Sequence, residues 1–420
     1  MIIIITVVDS MPGTGKTSKA ISMMQENPET NYIYITPFLS EVDRVKKAVT
    51  NRKFYDPTNK NRKGTKLEGL KELILKDKDI ISTHALFSSV DEEIIDLLKA
   101  CNYVLILDEV MNVIETLNLK TCDFKTLLDQ GVISIEEKEN RIIWNHEDYE
   151  GRFDDIKRLS KNNNLFYHSR NSGGSNTTLL VWTFPIQVFQ SFKDTYILTY
   201  LFKGQLQKYY YDMYKVDYNY LSVRNVNGKF DFVDYIDYKT EDRSMIRQLV
   251  NIYDGKLNNI GDEEYSLSAS WLKNPKNKDK MIKLKNNTLN YYKNIIKTKA
   301  KFNMWTTLMS ETLDKNSSAK IKTILSGNSY SSGFVACNCR ATNDYSHKIT
   351  CAYLLNRFLN PLDAGFFIDK GIDVNEDLWA LSELLQWIWR SRVRNSEMIN
   401  IFLPSERMRN LLIQYIGNEI

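Results

Sequence analysis

Histidine and cysteine are scarce in this sequence, with four and five residues among 420. The cysteines (Cys101, Cys122, Cys337, Cys339 and Cys351) form no Cys-x-x-Cys pair and show no zinc-ligand spacing with the histidines. That pattern argues against a zinc module and for reduced, buried thiols in a cytosolic protein. Charge of one sign is not in excess either. A net charge of +4 is too mild to identify a nucleic-acid partner, so local basic clusters have to carry that argument. Long apolar runs are missing as well. The apolar start, residues 1–8, stops at Asp9 without a basic flank, too short for a signal peptide or a membrane span, and reads as a buried first strand. No internal repeat and no sustained heptad pattern is present.

What is there is the composition of an ordinary soluble protein, 43% hydrophobic and 26% charged, long enough for two domains with a core each. In the N-terminal half, short apolar runs alternate with amphipathic stretches, as in a parallel α/β sheet. Strands are expected at 2–8, 32–36, 80–83, 103–107 and 196–200, with helices at 16–25 and 40–49. Residues 121–178 are charge-rich with frequent turn signals and read as an insertion in a first domain spanning 1–220. A tyrosine-rich bridge at 209–220 leads to a second domain, 221–420. Strands are expected there at 264–270, 302–307, 334–337 and 398–403, with a closing helix near 405–415. The basic loop 51–66 is either a solvated excursion or a phosphate-facing element. The basic stretch 273–285 could serve strand separation, partner docking or solubility alone.

Asp9, Ser10, Met11, Pro12, Gly13, Thr14, Gly15, Lys16 and Thr17 follow a buried strand and open a helix, the setting a phosphate-binding loop requires. Glycines let backbone N–H groups approach phosphates, and the new helix adds its positive end. Lys16 would reach the β- and γ-phosphates of ATP and Thr17 would ligate Mg2+, with Pro12, Gly13, Thr14 and Gly15 forming the cradle. Ser10 stands where the first glycine of the usual pattern falls. A second apolar run, 103–107, delivers Asp108 and Glu109 to its carboxyl end. Asp108 would hold Mg2+ and Glu109 would polarise the attacking water. The pair is common alone and specific beside a phosphate loop, so hydrolysis is favoured over binding alone.

In the C-terminal half, residues 377–390 have helical periodicity, with Leu378, Leu381, Leu384, Leu385 and Ile388 on the apolar side. Gln386, Arg390 and Arg394 follow at spacings of four. Two guanidiniums four apart on a helix would converge on one spot and suit the spread charge of a transferring phosphoryl group. A basic helix end complementing its dipole is the plainer alternative.

The array Gln386, Arg390, Arg394 resembles motif VI of superfamily 2 helicases. The phosphate loop then resembles motif I, and Tyr34, Ile35, Thr36 and Pro37 resemble motif Ia. Ile81, Ser82, Thr83 and His84 are similar to the Thr-His segment ahead of motif II, which Asp108, Glu109, Val110 and Met111 resemble. Ile197 to Tyr200 stand at motif III, Met304 to Thr307 at motif IV and Asn338 to Asp344 at motif V. The combination is similar to DEAD/DEAH-like helicases of tailed bacteriophages and, in its phosphate loop and Asp-Glu segment, to viral origin-binding helicases. This sequence departs from the pattern in Trp389, where glycine is usual, in a last arginine one residue late (so that Arg392 competes with Arg394), and in a motif III without Ser-Ala-Thr. It also lacks an upstream adenine-reading glutamine motif.

The resemblance implies two tandem RecA-like domains holding ATP and Mg2+, with Arg390 as the finger. It also implies a nucleic-acid path along Thr36, Pro37, Thr83, His84, Thr306 and Arg340, bound through the phosphate backbone and therefore salt-sensitive. DNA, single-stranded or forked, is the expected partner, with RNA as the alternative. A role in phage replication or recombination in the host cytoplasm follows, with no membrane partner, a monomer or weak oligomer, and replication proteins as possible companions. Two other classes stay open. A DNA-packaging ATPase would need a metal-binding acidic triad, for which Asp254, Asp262, Glu263, Glu264, Asp344, Asp363 and Asp377 show no strand-borne pattern. An ATP-switched origin-binding or loader protein would not need Glu109.

Overall fold

The computed structural model describes residues 4–117, 119–161, 163–172, 175–309, 311–313, 319–338 and 344–420. It is an α/β protein whose contacts divide it into two units. The first comprises 1–9, 16–233 and 360–374; the second comprises 10–15, 234–359 and 375–420. The division therefore falls at 233/234 instead of 220/221, and each unit takes in a segment from the other half of the sequence.

The first unit is built on a seven-stranded sheet. Its strands, in chain order, begin with β1 (Ile4–Asp9), β2 (Asn31–Thr36), β3 (Ile80–Thr83) and β4 (Tyr103–Asp108). The insertion, 121–178, and its two flanks add β5 (Ile114–Leu117), β6 (Ile133–Ile135), β7 (Ile142–Trp144), β8 (Leu165–Ser172) and β9 (Ser175–Thr183) in separate sheets. The main sheet resumes with β10 (Asp194–Thr199), β11 (Tyr218–Val226) and β12 (Lys229–Asp234), and its spatial order is β12-β11-β1-β10-β4-β2-β3. From β11 to β3 every pairing is parallel.

Alternation along each strand feeds two apolar faces, as expected of a parallel sheet covered on both sides. Tyr32, Tyr34, Val104 and Ile106 pack with Ala20 and Met24 of the helix Lys16–Glu26 and with Val42 and Val45 of the helix Leu39–Ala48. Ile33, Ile35, Leu105 and Leu107 pack on the other face with Leu70, Ile94 and Leu98. Asn227 (φ 53°) and Gly228 (φ 85°) close the β11–β12 hairpin, the two-residue turn that needs positive φ at both positions.

The tyrosine-rich bridge is not a linker. It begins in the helix Leu206–Met213, in which Tyr209, Tyr210 and Tyr211 are fully buried against the sheet, and ends in β11. The insertion and its flanks fold as a three-stranded antiparallel sheet, β5-β9-β8, beside the β6–β7 hairpin. The helix Pro361–Asp369, from far along the chain, docks in this unit. Phe366 packs on Phe166, Phe367 packs on Tyr209, and Thr116 Oγ1 donates to Asp363 Oδ1 at 3.1 Å.

The second unit holds a four-stranded parallel sheet in the order β13-β16-β15-β14. Its strands are β13 (Val250–Ile252), β14 (Asn303–Thr306), β15 (Thr350–Tyr353) and β16 (Ile399–Phe402). Two expected strands are absent. Residues 264–270 form a turn and the start of the helix Ala269–Lys273, with Leu267 at φ 63°; residues 334–337 contribute a single bridge from Phe334 to Trp305. The helix Glu376–Ile388 is buried along every residue from Leu378 onward, as a helix inside a core must be, and the helix Glu406–Gly417 closes the chain. Cys101, Cys122, Cys337 and Cys351 are free thiols, and Cys122 is exposed instead of buried. Cys339 lies outside the described residues.

Candidate nucleotide site at the carboxyl edge of the first sheet

Strand register brings the chemistry of the first unit to one level. Asp9 of β1 pairs with Thr199 of β10, Leu198 pairs with Asp108 of β4, and Thr36 of β2 pairs with Thr83 of β3. Ile35 lies opposite Leu107, so Thr36 and Asp108 end their strands in the same row. A row of polar groups at the carboxyl ends of parallel strands is where open α/β sheets bind ligands.

The loop between β1 and its helix turns through Gly13 (φ 89°) and Gly15 (φ 91°), left-handed conformations that side chains rarely adopt. Thr14 closes it, donating from N at 3.3 Å and from Oγ1 at 2.9 Å to Met11 O. Asp9 anchors its start: one carboxylate oxygen accepts from Leu201 N at 2.8 Å and the other from Phe202 N at 3.0 Å. Ser10, in place of the usual glycine, is 5% exposed, which leaves little room for a larger side chain. Pro12, Lys16 and Thr17 are half-buried, with Lys16 and Thr17 in the first turn of the helix Lys16–Glu26.

Asp108 and Glu109 have unlike environments. Tyr34 OH donates to Asp108 Oδ2 at 2.7 Å, across the β2–β4 pairing. Burial pushes the Asp108 carboxyl up to about 6; the adjacent Glu109 charge adds to the rise and the Tyr34 hydrogen bond opposes it. Burial, then the Asp108 charge, holds the Tyr34 phenol well above its ordinary range, so Tyr34 remains the donor. Behind them Arg44 pairs with the buried Glu41 at 2.6 Å. Glu109 sits at φ 69°, a conformation that costs a non-glycine residue about 1–3 kcal/mol. It is fixed there by its own N–H donating to Leu198 O at 2.9 Å, and its buried Oε2 has no hydrogen-bond partner. Gln207 Oε1 accepts from Met111 N at 3.0 Å and steadies the following turn.

This donor set fits a magnesium nucleotide. Two glycines clear a helix N-terminus for phosphate, a lysine and a threonine open that helix, and the buried Asp108 and half-buried Glu109 end the next strand but one, with one acid oxygen unpartnered.

The arginine segment differs from expectation. The helix ends at Ile388, and Ser391 (φ −75°, ψ −175°) starts a separate turn, Arg392–Asn395, accepting from Val393 N with its side chain. Arg390 and Arg394 therefore do not share a helix face. Arg390 is 7% exposed, whereas Arg394 is exposed and Arg392 is turned to Glu397 and the Met398 carbonyl. Gln386 is buried, with no hydrogen-bond partner for its Nε2. The unusual Trp389 has a definite neighbour: a Cβ built on Gly13 would stand 3.8 Å from its Nε1. Loop 10–15 and Trp389 both belong to the second unit by their contacts.

Of the expected nucleic-acid residues, Thr36 and Thr83 are register partners on β2 and β3, with Pro37 and His84 next along each chain segment. Thr36 and Thr306 are fully buried and their hydroxyls lack partners, while Pro37, Thr83 and His84 are half-exposed. Arg340 and most of the segment from Asn338 to Asp344 lie outside the described residues. The sequence placed Asp9 and Tyr34 inside motifs without assigning them a role and did not mark Gln207, because their partners lie 74 to 193 residues away.

Residues 114–182 match the family described as the YonV middle domain, and residues 244–416 match the YonV C-terminal Rossmann-like domain. The SPbeta prophage-derived protein YonV of Bacillus subtilis (strain 168) is 42% identical over 427 residues, covering 99% of each chain. The chain belongs to the YonV family. The middle-domain match starts with β5, encloses the insertion and ends within β9, and the Rossmann-like match encloses the four-stranded sheet. The prophage origin of the relative agrees with the phage-type resemblance. Among solved structures, the DUF1998 helicase MrfA bound to DNA and AMPPNP is matched at a TM-score of 0.31 and 11% identity, across 99% of this chain and 48% of that one. The chain thus spans about half the length of that helicase, at a likeness too low to bear on function. Among the described residues, no helix is long and apolar enough to cross a membrane.

Proposed function

We propose that this protein is an ATP-hydrolysing P-loop motor of the superfamily 2 helicase or translocase kind, built from two RecA-like domains and acting on DNA. The observation that carries it is the shared carboxyl edge: the loop 10–17 leaves β1, and Asp108 and Glu109 leave β4, with the single strand β10 between them. Neither element alone would distinguish hydrolysis from nucleotide binding.

In this reading the backbone N–H groups of Gly13 to Thr17 and the Lys16 ammonium hold the β- and γ-phosphates of ATP. Thr17 and Asp108 hold Mg2+, which when bound neutralises charge on those phosphates. Tyr34 occupies one oxygen of Asp108 and so orients the other. Glu109, locked in a left-handed conformation with an unpartnered oxygen, orients water and accepts its proton. Arg390 supplies the stabilising cation; it follows Trp389, which stands beside Gly13 of the phosphate loop. Gln386, Thr83 and His84 keep the supporting roles the resemblance implies. Thr36 and Thr306 could act on nucleic acid only after a rearrangement that exposes them.

The test is ATP turnover with and without single-stranded or forked DNA, or RNA, for wild type, Lys16→Ala and Arg390→Ala. Turnover stimulated by nucleic acid and abolished by both substitutions is expected. Turnover undiminished by both would refute the site, and turnover indifferent to every nucleic acid would refute the motor.

A further inference from the structure

Residues 273–301 carry ten lysines, one aspartate and no other charged side chain, a net +9 in a chain whose total is +4. All the remaining residues together therefore carry −5. This stretch, more basic than the loop 51–66, lies wholly in the second unit and outside every element invoked for nucleotide chemistry.

The stretch is well anchored. In the helix Lys278–Asn290, Met281, Leu284 and Thr288 face the core with no exposure. Tyr291 and Tyr292 continue that buried face; Tyr292 OH donates to Met304 O at 2.6 Å, and Asn287 Nδ2 donates to Leu257 O at 2.9 Å. The lysines are what this anchoring leaves outward. Lys276, Lys278, Lys283, Lys293, Lys297 and Lys299 are exposed, and none of them forms an ion pair among the described residues. Only Lys273 (to Glu311, 3.0 Å) and Lys280 (to Glu263, 4.0 Å) are partly neutralised. Like charges this close on a helix repel and reduce its stability, so folding does not account for them.

We infer that this face is a docking surface for the phosphate backbone of nucleic acid. The helix is about 20 Å long, and a duplex presents about a dozen charges along that length. Lysine ammoniums are hydrated point charges without the planar fork that reads a base edge, so the surface holds the backbone without selecting sequence. The choice of nucleic acid among polyanions rests on the motor function proposed above, which needs a hold on its track while the nucleotide state changes.

The experiment measures binding of duplex and single-stranded oligonucleotides, without nucleotide, over a range of salt. It uses the full chain and the quadruple variant Lys276→Ala, Lys278→Ala, Lys283→Ala, Lys293→Ala. A second variant reverses the same four charges with glutamate. Because these side chains are exposed and unpaired, melting temperatures should stay within a few degrees. Affinity should fall about tenfold or more in the alanine variant and further in the glutamate variant. The slope of log affinity against log salt should flatten by about two to four, as counterion release per lost phosphate contact requires. Basal ATP turnover should not change in either. Affinity and slope equal to wild type in both variants would overturn the surface while leaving the motor untouched. Loss of binding in the variants of a protein without ATP turnover would support the surface and remove the motor. Binding to phosphatidylserine vesicles, lost in the variants, with no binding to oligonucleotides would overturn the assignment of the partner.

Discussion

At the carboxyl edge of the seven-stranded sheet the strands end in Asp9, Thr199, Asp108, Thr36 and Thr83, whereas the four-stranded sheet ends in Ile252, Phe402, Tyr353 and Thr306. The strands that end at these two edges run parallel and most of these end residues are buried, so architecture alone does not separate them. Charge does. The first edge places Asp108 where burial raises its carboxyl to about 6, with Glu109 beside it held at a left-handed φ. The second edge places only apolar side chains and hydroxyls, and the cation ascribed to this unit stands past the end of a helix, at Arg390. Two similar sheets thus carry unequal chemistry: one edge gathers acids and hydroxyls, while the other unit holds the buried guanidinium of Arg390 and a lysine surface.

The largest expected effect tests Arg390. Arg390→Ala should lower nucleic-acid-stimulated ATP turnover by about 10³-fold or more, the magnitude typical of an arginine finger. Arg394→Ala should leave turnover close to wild type, because Arg394 is exposed on a separate turn. Steady-state phosphate release with matched melting curves checks the pair. Equal losses in the two variants would restore the two-arginine arrangement that helical spacing implied.

That contrast marks the limit of what the sequence could tell. Residues 103–107 are a continuous apolar run ending in two acids, and the strand follows from such a pattern. The spacing of Arg390 and Arg394 was equally visible, but it implies a shared face only if the helix continues, and Ser391 caps a new turn instead. In the second unit the strands are three or four residues long, too short to establish a period. Hence β13 and β15 went unseen, while the alternation at 264–270 belonged to a turn. Tyr34 and Gln207 act through partners far along the chain, and no local pattern announces such contacts.

Asp108→Asn should separate function from stability. A carboxyl raised from 3.8 to about 6 favours the folded state while it is protonated, below its ordinary value, and loses that contribution as pH rises through 6. At about 1.4 kcal/mol per pKa unit, ionised Asp108 costs the fold about 3 kcal/mol at neutral pH. The asparagine variant should therefore be inactive yet melt higher than wild type at pH 7–8, with the advantage shrinking toward pH 4. Denaturant unfolding across that range is the measurement, and a variant less stable than wild type at pH 8 would contradict the burial of charge at this edge.

Tyr34→Phe removes one hydrogen bond and little volume. Loss of a hydrogen bond to a charged acceptor is worth about 1.5–3 kcal/mol at most, less where water can replace it. If Tyr34 orients the metal-holding oxygen of Asp108, the half-saturating Mg2+ concentration for turnover should rise about fivefold. The gain in affinity of a non-hydrolysable ATP analogue on adding Mg2+ should shrink in parallel, while its affinity in EDTA stays the same. An equal loss of affinity with and without Mg2+ would instead mean that Tyr34 merely supports the loop.

The smallest effect falls on the second edge. Thr306 is fully buried and its hydroxyl has no partner, so the hydroxyl was desolvated on folding without compensation. Valine has nearly the same shape and no such penalty. Thr306→Val should therefore raise stability by about 1 kcal/mol, read as a higher denaturant midpoint with an unchanged slope. Nucleic-acid-stimulated turnover should remain close to wild type, because a side chain with no exposure touches no strand. If stability rises but stimulation is lost, the hydroxyl meets nucleic acid in a state where this edge opens, as the resemblance to motif IV implies. The inequality between the two edges would then belong only to the closed conformation, and the orphan hydroxyl would be kept for the open one.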